Sequence, residues 1–232
     1  MNNAETYPRP IPVIELDQQT RGTFVSRTYT HLFSAITAFT LIEIFLFKMG
    51  LAEPMARAML GVSWLFVLGG FVIVSWLASR VAHTATSKAV QYGALAGFVV
   101  AEAIIFVPLL FIANAYAPGV ITSAVAVTFA GFTGLSLVAF YTRKDFSFLR
   151  GILCWGGIVA LILIGAGAIF GFQLGTFFSV AMIALAGGSI LYDTSNILHH
   201  YPEDRYVAAA LQLFASVALM FWYVLRILMD RR

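Results

Sequence analysis

The sequence predicts an all-α, polytopic membrane protein with seven transmembrane helices. Of its 232 residues, 60% are hydrophobic and 11% are charged, and the mean hydropathy of +0.88 lies outside the range of ordinary soluble domains. Several apolar stretches reach the roughly 20 residues that a helix needs to cross a hydrocarbon core of about 30 Å. The alternation typical of barrel strands is absent, so the spans are expected to be helices, which satisfy their own backbone hydrogen bonds in lipid.

The chain begins with a polar segment that contains "YPRPIP". No basic start followed by an apolar core and a cleavage site is present, so no cleaved signal peptide is indicated. We expect residues 1–26 to form a flexible cytoplasmic tail and residues 27–232 to form the transmembrane domain. Pro54, Pro118 and Pro202 are expected where helices end. The seven predicted spans are 28–47, 58–78, 89–113, 120–141, 151–171, 174–197 and 207–228.

The basic residues predict the orientation of these spans. Seven spans put the two termini on opposite sides, and Lys and Arg are more frequent on the side of the N-terminus. Positive-inside bias therefore predicts a cytoplasmic N-terminus and an external C-terminus. The net charge of +3 comes from single residues or short groups in loops, which favours a lipid bilayer as partner and argues against nucleic acid. The N-terminal side holds Arg9, Arg21, Arg27, Arg80, Lys88, Arg143, Lys144, Arg150 and Arg205, and the other side holds Lys48, Arg57, Arg226, Arg231 and Arg232.

Asp193 is one of the few charged side chains inside the spans. Burial of a charge in lipid is costly, so a functional role is the default hypothesis for such a residue. Helical spacing puts Ser189, Asp193 and Asn196 on one polar stripe of the sixth span. Arg80 and His83 are expected on the same side of the membrane, so an ion pair between Asp193 and Arg80 is allowed. His199 and His200 close this span and titrate near neutral pH, which makes them candidate sensors of cytoplasmic acidity.

Two other acids have different expected surroundings. Glu43 lies near the outer end of the first span, where Arg226 of the seventh span is also expected, and a structural clamp between them is favoured over transport. Glu102 lies in the middle of the third span without a basic residue at its depth. An unpaired ionised carboxylate is costly there, so a neutral acid bonded to a neighbouring helix and an ion or proton site are both consistent with the pattern.

The seventh span carries Gln212, Ser216 and Tyr223 on the same face as Arg226, which suggests a polar interior. Such residues either line a conducting path or hold helices together. Catalytic motifs give no support for an enzyme, because HExxH, Walker and GxSxG patterns are absent. The single cysteine, Cys154, excludes a disulfide within the chain. Glycine and alanine clusters in four spans predict close helix packing.

Two segments carry a resemblance to a known family. The loop "TRKDFSFL" (142–149) and the stretch "ILYDTSNILHH" (190–200), within seven spans, resemble the Bax inhibitor-1 family, also called the transmembrane Bax inhibitor motif family, and are most similar to its bacterial YccA-like branch. The resemblance extends from about Arg27 to the C-terminus. It implies six helices around a central seventh, a cytoplasmic N-terminus and a place in the bacterial inner membrane.

The resemblance also implies roles for particular residues. Asp193 matches the acidic residue of the sixth span that channel-type members use in a pH-sensing carboxylate pair. Ser216 stands where the partner aspartate is expected, Leu219 replaces an asparagine of the pattern, and Arg226 matches a basic residue late in the last span. One carboxylate beside a serine does not share a proton as two carboxylates do.

Two functions follow from the resemblance. Bacterial members are described as modulators of the membrane protease FtsH, and the missing second aspartate favours this role for the chain. Other members are described as pH-sensitive calcium leak channels, and the polar interior around Asp193 and Glu102 suggests a calcium or proton leak as the alternative. No cofactor is expected, and calcium would be a transported ion.

Overall fold

The computed structural model describes residues 11–230, which contain eight α-helices and no β-strand. Seven of these helices are long and apolar enough to cross a membrane, which confirms the predicted fold class and number of spans. The additional helix, α2, is short. The helices are α1 (Gln18–Lys48), α2 (Ala52–Leu60), α3 (Trp64–Thr84), α4 (Lys88–Tyr116), α5 (Val120–Thr142), α6 (Leu149–Phe170), α7 (Gly175–His199) and α8 (Tyr206–Asp230).

Helix α1 begins ten residues before the predicted first span. Asp17 caps it, because its carboxylate accepts hydrogen bonds from the backbone N–H groups of Gln19 at 2.9 Å and Thr20 at 3.0 Å. These bonds and one from the Thr20 hydroxyl, the largest influence, lower the pKa of Asp17. The helix therefore runs through residues 26 and 27, where the end of the tail was expected.

The segment before α1 is fastened to the other end of the chain. The backbone N–H of Val13 donates to the carbonyl of Tyr201 at 2.9 Å, and Pro12 lies in a bridge with Pro202. Val13 is fully buried. Residues 11–26 are thus folded, in contrast to the expected flexible tail, and the expectation for residues 1–10 lies outside the described residues.

The second predicted span, 58–78, is wrong at its start. Helix α2 ends at Leu60 and α3 begins at Trp64, so a break at residues 61–63 falls inside the predicted span. Pro54 lies in the first turn of α2 and so does not end a helix, and a proline is tolerated there because that N–H has no helical partner. Hydropathy missed the break because apolar residues stand on both sides of it.

Helix α8 is the most enclosed span of the described residues. It packs against α1, α3, α4, α5 and α7, and most of its side chains are buried. Helix α6 packs mainly against α7, and its Ala160 lies in one buried cluster with Met182 of α7 and Tyr223 of α8. This burial agrees with an inner position for the last helix, and the ring of six helices around it stays a prediction.

Small residues produce close contact at the α6–α7 interface. A Cβ atom added to Gly156 would lie 2.4 Å from Leu185 Cδ1, and one added to Gly188 would lie 3.2 Å from Leu153 Cδ2. Gly188 therefore has the packing role that was predicted for its cluster, and Gly156, which lies outside the predicted clusters, has the same role. Gly93 and Gly97 of α4 have open space instead, so the prediction is wrong for that cluster.

The connections α3–α4, α5–α6 and α7–α8 lie on the side where α1 begins, which we call the amino-terminal side. His83, Ala85 and Lys88 from the α3–α4 region contact residues 201–206. Loop 143–148 contacts the end of α7. The motif-bearing ends of the spans are thus assembled on one side.

Candidate functional site

The centre of the candidate site is a hydrogen bond between α7 and α8. The hydroxyl of Ser216 donates to Oδ2 of Asp193 over 2.5 Å, and the two residues are only 7% and 9% exposed. A short, charge-assisted bond of this kind is stronger than one between neutral groups if the carboxylate is ionised. Ser216, at the position where the resemblance leads one to expect a second aspartate, is therefore the direct partner of Asp193.

The expected latch between Asp193 and a basic residue is not formed. Within residues 11–230 the ion pairs are Arg57–Glu53, His200–Asp145 and Arg205–Asp204. Arg80 is exposed, and its guanidinium lies over the ring of Trp76, 5.2 Å from the ring centre. Arg80 thus contacts Trp76 of its own helix instead of Asp193. The face of the aromatic ring stabilises the cation.

His83 also has partners other than Asp193. Its Nδ1 lies 2.7 Å from the carbonyl of Ser79, and its Nε2 lies 3.2 Å from the hydroxyl of Tyr201. Burial and the nearby Asp193 carboxylate raise the pKa of Tyr201, which keeps that phenol protonated. His83 therefore joins α3 to the α7–α8 connection and belongs to the surroundings of the site.

The two segments that carry the family resemblance form one structural unit. The hydroxyl of Ser195 accepts a hydrogen bond from the backbone N–H of Phe146 at 2.9 Å and donates to the carbonyl of Lys144 at 3.4 Å. His200 contacts Asp145 at 3.1 Å, and His199 Nδ1 lies 2.8 Å from the carbonyl of its helix neighbour Ser195. Loop 143–148 is therefore held against the end of α7, one turn from Asp193.

His199 and His200 thus differ in their surroundings. His200 is exposed and faces a carboxylate, whereas His199 is half-buried against its own helix. The pKa of Asp145 is lowered, mainly by the backbone N–H of Ser147 and then by His200. Asp145 and His200 therefore face each other on this surface.

The predicted clamp between Glu43 and Arg226 is wrong. Glu43 is 7% exposed, and both its carboxylate oxygens are buried without a hydrogen-bond partner in the described part of the chain. Arg226 is half-buried and makes no ion pair there. Glu43 and Arg226 each lie near the end of their helix on the side opposite the start of α1, but no ion pair forms between them.

Glu102 is a second buried acid without an ion pair. It is 6% exposed in the middle of α4, and the structure gives it no hydrogen bond among residues 11–230. The neutral acid bonded to a neighbouring helix, one of the two expectations, is therefore not observed. A carboxyl group in this position is most easily accommodated when protonated.

The expected polar face of the last span divides between two neighbours. Gln212 donates from Nε2 to the hydroxyl of Ser79 on α3 at 2.7 Å, while Ser216 bonds to α7. On α7 the hydroxyl of Ser189 bonds to the carbonyl of Leu185 in its own helix. Polar side chains thus join α3 and α7 to α8. Of the two roles predicted for this face, a conducting path or a contact between helices, these bonds are the contact between helices.

Sequence reasoning missed several hydroxyls near the site. Thr194 and Ser136 are buried, and their hydroxyls and that of Tyr29 have no hydrogen-bond partner within the described residues. Ser136 and Thr194 are near neighbours of the Tyr29 hydroxyl, and Asp193 lies within electrostatic range of it. Serine and threonine are common in spans, so only their positions in three dimensions distinguish these residues.

A protein metal centre is not formed by the described residues, because no three His, Cys, Asp or Glu side chains come together there. The site is instead a single carboxylate surrounded by hydroxyl groups at the amino-terminal side of a helical bundle. Together, the fold and this site define a polytopic helical membrane protein with buried acids in its interior.

The family model described as "Inhibitor of apoptosis-promoting Bax1" matches residues 21–232. The chain therefore belongs to the Bax inhibitor-1 family, as the two motifs indicated.

Curated relatives are similar to the chain over different lengths. An uncharacterized protein of Pseudomonas aeruginosa is 38% identical over 111 residues, which are 47% of this chain and 49% of that protein. The Escherichia coli protein named modulator of FtsH protease YccA is 37% identical over 112 residues, 47% of this chain and 50% of YccA. In these two matches the chain spans about half the length of the relative. Human Bax inhibitor 1 is 25% identical over 210 residues, 87% of this chain and 86% of that protein.

Proposed function

We propose that this membrane protein is a modulator of the membrane protease FtsH, without catalytic activity of its own, in a bacterial inner membrane. The observation that carries the proposal is the similarity to YccA, whose printed name gives that role, over about half of this chain. A second relative, from another Escherichia coli strain, is named an inner membrane protein.

The Asp193–Ser216 bond supports this proposal over gated conduction. A lone carboxylate that receives a bond from a serine has no second acid with which to share a proton. The interior therefore lacks the carboxylate pair on which a pH-gated path would depend. Binding to a protein partner requires no such pair.

The amino-terminal side offers the surface for this partner. Loop 143–148 is exposed at Arg143, Lys144 and Asp145 and is held in place by Ser195. Residues 11–16 are fixed to the α7–α8 connection through Val13. We assign to residues 1–10 the role of a handle that was expected of residues 1–26.

Co-purification tests the proposal. The full chain, extracted in mild detergent, is expected to recover FtsH, and its deletion from cells is expected to change the turnover of FtsH substrates. A variant without residues 2–10 is expected to recover less FtsH while the helices stay folded, because Val13 remains in place.

A substitution on the opposite side provides the control. Phe177→Ala changes an exposed side chain near the start of α7 and is expected to recover as much FtsH as the parent. The proposal is overturned if the full chain recovers no FtsH and its deletion leaves substrate turnover unchanged.

A calcium or proton leak is the second candidate, and buried acids without ion pairs support it. Asp193 and Glu102 lie inside the bundle, where an acid is costly and a role in ion movement is the default hypothesis. Liposomes loaded with a calcium dye test this function. Asp193→Asn and Glu102→Gln are expected to reduce the leak, whereas Glu53→Gln, at an exposed pair on α2, is the matched control. Equal leaks in all four proteins across several pH values would exclude this candidate.

A further inference from the structure

Two buried hydroxyls inside the bundle are turned away from their own helices. Serine and threonine in a helix commonly bond to the carbonyl four residues earlier. Thr142 of α5 and Ser189 of α7 do so, at 2.7 and 3.0 Å. Ser136 and Thr194, on the same two helices, do not, and their oxygens are buried without a partner in the described chain. Both hydroxyls are therefore buried and are not paired with their own helices.

A tyrosine from α1 meets these two hydroxyls. The ring of Tyr29 packs on Phe132 and Phe140 of α5, with ring centres 6.3 and 5.6 Å away. Ser136 is four residues from each of these phenylalanines and so lies on the same helix face. The Tyr29 hydroxyl has Ser136 and Thr194 as neighbours and is itself buried and unpaired among residues 11–230.

This group of three hydroxyls adjoins the Asp193–Ser216 pair. Thr194 follows Asp193 in α7, and the Asp193 carboxylate lies within electrostatic range of the Tyr29 hydroxyl. Helices α1, α5, α7 and α8 thus each contribute an oxygen to one buried region. Thr194 is five residues from the end of its helix, about 8 Å along the axis, so the region lies within the span and close to the amino-terminal side.

The chemistry of the group selects its ligand. Each hydroxyl can donate one hydrogen bond and accept others, and leaving such groups unpaired in an apolar interior is unfavourable. Buried water is held by two to four polar partners, which this arrangement supplies. We propose that Tyr29, Ser136 and Thr194 form a binding site for water inside the transmembrane helices and that this water adjoins Asp193. Bound water there allows Asp193 to exchange its proton while the bundle stays closed.

Radiolytic labelling tests the site in the parent protein. A brief X-ray pulse generates hydroxyl radicals from bound water, and these radicals hydroxylate the nearest aromatic ring. In nanodiscs, Tyr29 is expected to be modified several-fold faster than Phe106 and Phe214, which are buried rings in the same bundle. Equal rates for Tyr29 and the two phenylalanines would overturn the proposal and would indicate that the hydroxyls pair with one another.

Variants separate bound water from other causes of labelling. Ser136→Ala combined with Thr194→Val removes two of the three hydroxyls and is expected to reduce Tyr29 labelling several-fold. Thr194→Ser keeps a hydroxyl, and Ser189→Ala removes one that is bonded to its own helix, so both are expected to label as the parent does. Unchanged labelling of Tyr29 in the folded double variant would contradict the proposal. If that variant does not fold, the comparison of Tyr29 with Phe106 in the parent still decides.

Discussion

Ser216 determines what the buried Asp193 can do. Its hydroxyl donates to Asp193 Oδ2 over 2.5 Å in a region that is more than nine-tenths buried. A serine carries no charge, so the attraction between α7 and α8 at this point does not reverse when the carboxylate ionises. Two acids at this distance would instead share a proton and repel each other once both were ionised. The chemical identity of one side chain thus separates a fixed contact from a pH-sensitive one.

Ser216→Asp is expected to create a pH-dependent leak. The two acids would share one proton at low pH, and the loss of that proton as the pH rises would push α7 and α8 apart. Calcium flux into dye-loaded liposomes should therefore increase as the pH rises, on the order of tenfold for a difference of about 1.4 kcal/mol between closed and open states. Ser216→Asn preserves polarity without a charge and should show no such increase. A flux in Ser216→Asp that is independent of pH would contradict this account.

At the level of single residues, the sequence predicted which acids are buried. It did not predict which side chains these acids contact. Asp193, Glu102 and Glu43 are buried as expected, because an acid within an apolar span is conspicuous in the sequence. Their partners were predicted wrongly where depth alone was used. The depth of a residue in the membrane follows from its position along a helix. A contact also requires that the two helices turn the relevant faces toward each other. The hydropathy of a sequence gives no information about that rotation.

Helix ends show the same distinction at the level of elements. Hydropathy located the seven spans because the bilayer imposes a minimum apolar length. It missed the first ten residues of α1, which are polar enough to lie outside the apolar core and are capped by Asp17. It also missed the break at residues 61–63. Capping and chain breaks depend on local hydrogen bonds, which a window average does not detect.

Ser195→Ala is expected to release loop 143–148 from the end of α7. The change removes the acceptor of the Phe146 backbone N–H, which is half-buried, and the loss of such a hydrogen bond costs about 0.5–1.5 kcal/mol. Hydrogen exchange of the Phe146 amide should become faster by roughly tenfold for each 1.4 kcal/mol lost. Ser189→Ala, on the same helix, removes only a bond within α7 and should leave this amide unchanged. Equal protection of Phe146 in both variants would show that Ser195 does not hold the loop.

Adjacent glycines of α6 provide an element-scale test of the α6–α7 contact. Gly156→Ala would place its Cβ 2.4 Å from Leu185 Cδ1, so Leu185 must move, and overpacking of this kind costs about 1–3 kcal/mol. Gly157→Ala enters open space and should be neutral or stabilising by up to about 1 kcal/mol, because alanine favours the helix. Thermal unfolding in one detergent should therefore show a lower Tm for the first variant alone. A lower Tm for both would point to a general intolerance of α6.

For the whole molecule, the distribution of contacts explains why the family motifs lie where they do. The last helix is buried among five others, and the connections of the amino-terminal side contact one another through Val13, His83, Ser195 and Lys88. The opposite side has short turns at Gly119 and Gly171, where left-handed backbone favours glycine. The fixed side is therefore the one that can present a constant surface to a partner.

The orientation of the molecule in the membrane is the prediction on which that partner depends. An excess of Lys and Arg on the amino-terminal side predicts that this side faces the cytoplasm. The sequence contains one cysteine, Cys154, so Cys154→Ser gives a background without thiols. In that background, Ser147→Cys reports on the amino-terminal side and Gln173→Cys on the opposite side, and both positions are exposed. A maleimide that does not cross the membrane should label Gln173→Cys in spheroplasts and should label Ser147→Cys only after the cells are opened. The reverse pattern would place loop 143–148 outside the cell and would exclude it as the contact surface for a partner in the cytoplasm.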